Sequence, residues 1–136
     1  PPADGRYRLI VEDAFGHGGS RYAYRLTATD AERDFTFSVD GSEQVLTAGK
    51  PLQVALAVDR RRGFNEVVRF DLAGGPPPGV TFKADESQGK GDSAKSVKAT
   101  LSAEKGAEPW SGVVTIEARS GDSPPQTVSF WLTLRK

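Results

Sequence analysis

The sequence predicts an all-β domain in which two sheets pack face to face. Apolar side chains recur at every second residue in most segments, which is the period of a strand with one buried face. Glycine and proline account for 15 and 9 of the 136 residues, and they cluster between these segments as turn residues. Stretches rich in helix-favouring residues are short, as at 104–108, where Gly106 interrupts the run. A strand with one apolar face requires a second layer to cover it, so a sandwich is expected.

The first two alternating segments predict a β-hairpin around the glycine-rich stretch 13–20. Its apolar face consists of Tyr7, Leu9, Val11, Tyr22, Tyr24 and Leu26. Residues 1–29 are therefore expected to form a hairpin unit, and the polar residues 30–33 a connector. An isolated hairpin is only marginally stable in water, so this face is expected to pack against a neighbouring domain, the sandwich or a second copy of the chain.

Further short strands are predicted from residue 34 to the end of the chain, separated by turns at 40–42, 49–51, 60–63, 74–79 and 121–125. Seven or so alternating strands over about a hundred residues are typical of an immunoglobulin-like antiparallel β-sandwich. Residues 34–136 are assigned to that domain. Its predicted core includes Phe37, Leu52, Val54, Leu56, Phe70, Val97, Leu101, Val114, Ile116, Phe130 and Leu132.

Composition excludes several classes of function. Lys plus Arg and Asp plus Glu number 18 each, so the chain lacks the basic excess of a nucleic-acid-binding protein. Cysteine is absent, which removes disulfides, thiolate catalysis and cysteine–zinc sites. The sequence contains no apolar run of the roughly 20 residues that a membrane-spanning helix needs.

Two parts of the chain resemble known bacterial modules. Residues 58–70 and 78–82, which read VDRRRGFNEVVRF and PGVTF, resemble the arginine-rich turn and following strands of immunoglobulin-like repeats in large secreted bacterial proteins. Residues 4–13 and 22–26, DGRYRLIVED and YAYRL, resemble the last two strands of a bacterial pre-peptidase C-terminal domain. The resemblance implies that residues 1–29 are the end of such a domain. It also implies a secreted or cell-surface, extracytoplasmic location.

Candidates for chemistry are few, and we expect no enzyme. His17 follows Asp13 by four residues, but the glycines around it favour a solvated turn over the shaped pocket that a general base needs. Asp85, Glu86, Ser87 and Asp92 offer oxygen atoms to calcium. The ligand spacing of an EF-hand is absent and Lys90 brings a positive charge among them, so a hydrated loop is favoured. No cofactor or metal is expected.

The remaining candidates belong to an interaction surface. Arg60, Arg61 and Arg62 at one turn could attract a polyanion, although charges at such turns more often face solvent. The alternation places Trp131 on the outer face of its strand, with Val67 and Val113 also outward. An exposed tryptophan stacks on a sugar ring or packs against a neighbouring domain, and the outward valines favour the second role. Tyr22 and Tyr24 are further candidates on the predicted hairpin.

Two function classes follow from these observations. The first is a noncatalytic structural, spacer or adhesion module whose partners are neighbouring domains of the same polypeptide, with self-association through the hairpin as a further expectation. The second is an accessory module that binds carbohydrate or a matrix protein for an attached hydrolase or protease.

Overall fold

A computed structural model describes residues 5–19, 23–27 and 34–136. The chain divides into two compact units, Pro1–Asp30 and Ala31–Lys136. In the first unit, residues 5–19 and 23–27 form no strand, so the predicted hairpin is not present in the described part of that unit. The described residues include a short turn at Asp13, where the amide of Gly16 donates to the carbonyl of Asp13 at 3.1 Å.

The second unit is the predicted immunoglobulin-like sandwich. Its described residues form eight strands and one short 3-10 turn at Asp92–Ala94. The strands are β1 (Asp34–Val39), β2 (Glu43–Thr47), β3 (Leu52–Arg61), β4 (Arg69–Leu72), β5 (Val80–Ala84), β6 (Ser96–Ala103), β7 (Trp110–Arg119) and β8 (Gln126–Arg135). The first sheet has the order β1-β3-β6-β5 and the second sheet the order β2-β8-β7-β4. This is the strand arrangement of an immunoglobulin-like domain with a first strand divided between both sheets.

One strand pair departs from the expected antiparallel sandwich. β2 runs parallel to β8, with Glu43 opposite Trp131 and Thr47 opposite Arg135. The reason is the sheet switch at residues 40–42, where the chain leaves the first sheet after β1 and continues in the same direction in the second. The second sheet is therefore mixed.

The core lies between the two sheets, where the alternating apolar side chains meet. Nine of the eleven predicted core residues are buried, and Leu56, Leu101, Ile116 and Leu132 are fully so. Leu52 and Phe70 are only partly buried, although both pack against the core. Leu52 begins its strand, and Phe70 lies on β4 at the edge of the second sheet, so each has fewer neighbours than a central residue.

The chain enters and leaves the sandwich at opposite ends. β1 starts beside the end of β3, because Asp34 pairs with Arg61. β8 ends beside the end of β2, and residues 48–51 join β2 to the start of β3. The two ends of the sandwich are thus separated by the length of β3, whose ten residues extend about 33 Å.

Shortening Leu56 tests the position of the core. Leu56→Ala should lower the free energy of unfolding by about 2–5 kcal/mol, because it removes buried methyl groups and leaves a cavity. Gln53→Ala is the matched control on the exposed face of β3 and should change it by less than about 0.5 kcal/mol. Urea denaturation of both variants measures the difference, and a cost near zero for Leu56→Ala would show that the inner and outer faces are reversed.

Candidate interaction surfaces

The outer face of the second sheet carries an apolar cluster that we call the tryptophan face, formed by Val45, Val113 and Trp131. The exposed fractions of these side chains are 49%, 62% and 45%. Val113 lies directly opposite Trp131 across β7 and β8, and Glu43 lies opposite Trp131 on β2. Val45 pairs with Thr133, which places it diagonally next to Trp131. The tryptophan face therefore crosses three neighbouring strands.

Hydroxyl groups border the tryptophan face on two sides. Ser111 Oγ donates to Thr133 Oγ1 at 3.3 Å, and Thr115 Oγ1 lies 2.8 Å from Ser129 Oγ. Each hydroxyl pair lies two residues from the row that holds Val113 and Trp131, on opposite sides. The Trp131 ring thus lies between two pairs of hydroxyl groups. Such an arrangement can stack on a sugar ring or form the apolar centre of a protein contact with a polar rim.

Trp110, the second tryptophan, has a different environment. It packs at the start of β7 over Gly112, where a Cβ would meet its ring at 2.6 Å. A groove of about 280 Å³ lies beside it, lined by residues that include Gly74, Pro76 and Val113. This groove extends the tryptophan face towards the turn after β4.

The predicted arginine cluster separates into different roles. Arg60 is partly buried and ties together three segments of chain: its guanidinium donates to the carbonyl oxygens of Ala94, Glu66 and Ser87 at 3.1, 2.7 and 3.0 Å. It also donates to Ser87 Oγ at 2.8 Å, and its Cζ lies 5.4 Å from the centre of the Phe64 ring. Burial lowers the pKa of Arg60. The general expectation that arginines at such a turn face solvent is therefore wrong for Arg60.

Arg61 and Arg62 lie on the exposed side of the same turn. Arg61 Nε is 3.4 Å from Asp59 Oδ2, and both side chains are largely exposed. Arg62 has a φ of 53° and Gly63 a φ of 75°, so two successive residues take the left-handed conformation that reverses the chain. The three arginines do not form one positive cluster, because the guanidinium of Arg60 is directed inwards.

Ser87 is the buried partner that completes this arrangement. Its hydroxyl accepts from Arg60 and donates to the carbonyl of Ser93 at 2.7 Å, while its backbone pairs with Val68 in both directions at 2.9 Å. Gly89 lies so close to Asn65 that any Cβ would overlap the Asn65 carbonyl. The loop suggested as a calcium site is thus held by Arg60 and backbone contacts. Within the described residues there is no group of three or more His, Cys, Asp or Glu that could hold a metal.

A charged groove of about 890 Å³ runs beside β4 and the end of β7. Its two arginines are already paired with carboxylates: Arg69 Nε donates to Glu86 Oε1 at 2.7 Å, and Arg119 contacts Glu117. These hydrogen bonds raise the pKa of both arginines. With Glu66 and Asp71 also in its lining, the groove has no excess of positive charge for an anion.

The edge of β4 that faces away from β7 is protected by its own chain. Val68 pairs with Ser87, the amide of Leu72 donates to Asp71 Oδ1 at 2.8 Å, and the carbonyl of Leu72 accepts from Gly75 at 3.1 Å. Backbone groups used in this way are not available to an added strand. The β4 edge is therefore a poor site for pairing with another molecule.

The remaining candidates belong to the first unit. Tyr22 lies outside the described residues, and Tyr24 is exposed. Asp13 Oδ2 accepts the backbone amides of His17 and Phe15, each at 3.0 Å, and lies 3.2 Å from His17 Nδ1. The two amide bonds lower the pKa of Asp13, with a smaller contribution from the His17 ring. The geometry is that of a side-chain-capped turn.

Comparison with solved structures finds domains of similar fold in other proteins. The chain is similar to domains 4 and 5 of the S-layer protein SbsC, with 18% identity and a TM-score of 0.51 over 79% of this chain and 55% of that one. Domains 1–6 of SbsC match with 16% identity and a TM-score of 0.49, over 80% of this chain and 14% of that one. The BIgI domain of beta protein from S. agalactiae, bound to CEACAM1, matches with 12% identity and a TM-score of 0.46, over 76% of this chain and 98% of that one.

At these identities the likeness shows the fold alone, and the chain spans about half the length of the SbsC two-domain structure. No family model matches the sequence, and the search of curated proteins found no match. The resemblance of residues 1–29 to a pre-peptidase C-terminal domain stays a prediction. Among the described residues there is no helix with the length and hydrophobicity needed to cross a bilayer.

Removing the Arg60 side chain tests its structural role. Arg60→Ala should lower the free energy of unfolding by about 2–4 kcal/mol, because the buried Ser87 hydroxyl and neighbouring carbonyls lose their donor. Arg61→Ala is the matched control one residue away and should cost less than about 1 kcal/mol, since it removes an exposed ion pair. Thermal and urea unfolding provide the measurement. Equal costs would contradict the assignment of Arg60 as an internal link.

Proposed function

We propose that this chain is a noncatalytic structural module, a spacer or adhesion domain, of a larger secreted or cell-surface bacterial protein. The observation that carries the proposal is the placement of residues 34 and 135 at opposite ends of the sandwich. A domain with this geometry adds its full length to the distance between whatever precedes and follows it. The similarity to the fold of an S-layer domain supports the proposal at the level of architecture.

The first unit supplies a proposal about partners. Its described apolar residues are exposed, and Leu9, Phe15 and Tyr24 each expose more than half of the side chain. Several solvent-exposed apolar side chains in one short segment indicate a surface that contacts another protein or domain. We propose that residues 1–29 are the end of a pre-peptidase-type domain and that a neighbouring domain of the same polypeptide, or a second copy, covers them.

The Trp131 environment favours a second function, an accessory module for carbohydrate or a matrix protein. A flat apolar ring between two hydroxyl pairs offers stacking in the centre and hydrogen bonds at the border. The apolar neighbours Val113 and Val45 favour a protein ligand over a sugar, because a sugar site usually has a second aromatic ring.

Joining two chains in series tests the spacer. Two copies of the 136-residue chain linked end to end should have a maximum dimension, measured by small-angle X-ray scattering, at least about 33 Å greater than one copy. A maximum dimension close to that of one copy would show that the modules fold back side by side, which contradicts a spacer.

An array of glycans and matrix proteins distinguishes the two functions. The spacer predicts no reproducible signal from the intact chain. The accessory function predicts a signal that Trp131→Ala abolishes and that Arg61→Ala, an exposed substitution outside the tryptophan face, leaves unchanged. A signal equal in all three proteins would exclude Trp131 as the binding residue.

A further inference from the structure

The pairing of β2 with β8 has a mechanical consequence when the sandwich is pulled from its two ends. Tension on the chain before residue 34 reaches β2 through β1, while tension after residue 135 acts directly on β8. The two neighbouring strands run parallel, so the forces pull them in opposite directions along their own axes. The hydrogen bonds between them lie across the strands and are loaded in shear.

The extent of this ladder is defined at both ends. The amide of Trp131 donates to the carbonyl of Ser42 at 2.8 Å, and the amide of Ala48 donates to the carbonyl of Arg135 at 2.8 Å. Between these bonds lie the five paired positions from Glu43 to Thr47. Under shear the ladder bonds share the load and must break together, whereas peeling would break them one after another.

Side chains from both strands oppose the same sliding motion. Leu46, Leu132 and Leu134 are essentially fully buried in the core. A shift of β2 by one residue along β8 would exchange its inner and outer faces, moving Leu46 to the surface and Val45 towards the core. The core therefore penalises the first step of sliding in addition to the hydrogen bonds.

The pairing of β1 with β3 must break before tension from the N-terminal side reaches β2. β1 pairs with β3 over all six of its residues, and Phe35 and Phe37 are buried beneath it. This pair is also loaded along the strand axis when the chain is pulled at residue 34. After β1 has separated from β3, the β2–β8 ladder lies directly between the two points of attachment.

We propose that this module bears tensile load, and that the parallel β2–β8 pair is the element that resists extension. The proposal rests on the spacer function, because only a module linked in series is pulled from both ends. It adds a property that a spacer does not require, since a domain with the same end-to-end length could unfold at low force.

Single-molecule force spectroscopy on the full chain tests the proposal by changing the direction of pulling. In the first geometry, handles attached at the two chain termini load β2 and β8 in shear. In the second, one handle stays at the C-terminus and the other is attached at Lys50→Cys, a unique thiol because the chain has no cysteine. Lys50 follows β2 at the same end at which β8 finishes, so this geometry peels the strands apart.

The expected result is an unfolding force several-fold higher between the termini than between position 50 and the C-terminus, at the same loading rate. In the first geometry an extension gain of roughly 300 Å identifies unfolding of the sandwich, from about a hundred residues at full extension. Equal forces in the two directions would overturn the proposal. They would not affect the spacer function, because the scattering measurement that tests it depends only on the length of the folded module.

Two proline variants test the ladder itself. Ala48→Pro removes the amide that donates to Arg135, whereas Val45→Pro removes an amide on the opposite edge of β2, since even-numbered residues of β2 face β8. The terminal unfolding force should fall for Ala48→Pro and stay within error for Val45→Pro. An equal fall in both would overturn the role of the ladder. If Ala48→Pro fails to fold, the comparison of pulling directions still decides the question.

Discussion

The path of the chain through residues 40–42 determines how the rest of the sandwich is arranged. The amide of Asp40 donates to the carbonyl of Ala55 in the first sheet at 3.3 Å, and the carbonyl of Ser42 accepts from Trp131 in the second at 2.8 Å. Between them Gly41 has a φ of 79°, which few other residues adopt readily. Gln44 Nε2 donates back to the carbonyl of Asp40 at 2.6 Å. Within three residues, the chain is thus bonded to both sheets.

Alternation in the sequence predicted the β-sandwich and most of its core, because a strand that is buried on one face has an apolar residue at every second position. It did not predict that β2 is parallel to β8, since the period identifies a face but neither a partner nor a direction. The first unit shows the limit of the same signal: Tyr7, Leu9 and Val11 alternate, yet residues 5–19 form no strand. A strand also needs a neighbour, which local sequence does not specify.

The candidate surface was partly predictable for the same reason. Trp131 and Val113 were placed outward from their strand period, and the structure brings them opposite each other. Val45 was not assigned to the outer face from the sequence. Its position follows from the alternation, because the neighbouring Leu46 is buried on the inner face. Arg60 was treated as one of three similar arginines, yet it continues the inward positions Val54, Leu56 and Val58 of the same strand. An arginine at an inward position signals a polar partner inside, here Ser87.

The link between Arg60 and Ser87 has a consequence for identifying related domains. Apolar alternation is common to β-sandwiches in general, so it cannot distinguish one group of such domains from another. The arginine and the serine 27 residues after it satisfy each other by a hydrogen bond. Gly89 lies against the Asn65 carbonyl, where no side chain would fit. A search that requires these three residues at this spacing, on any background of alternating apolar positions, would select sequences that share this loop even where overall identity is low.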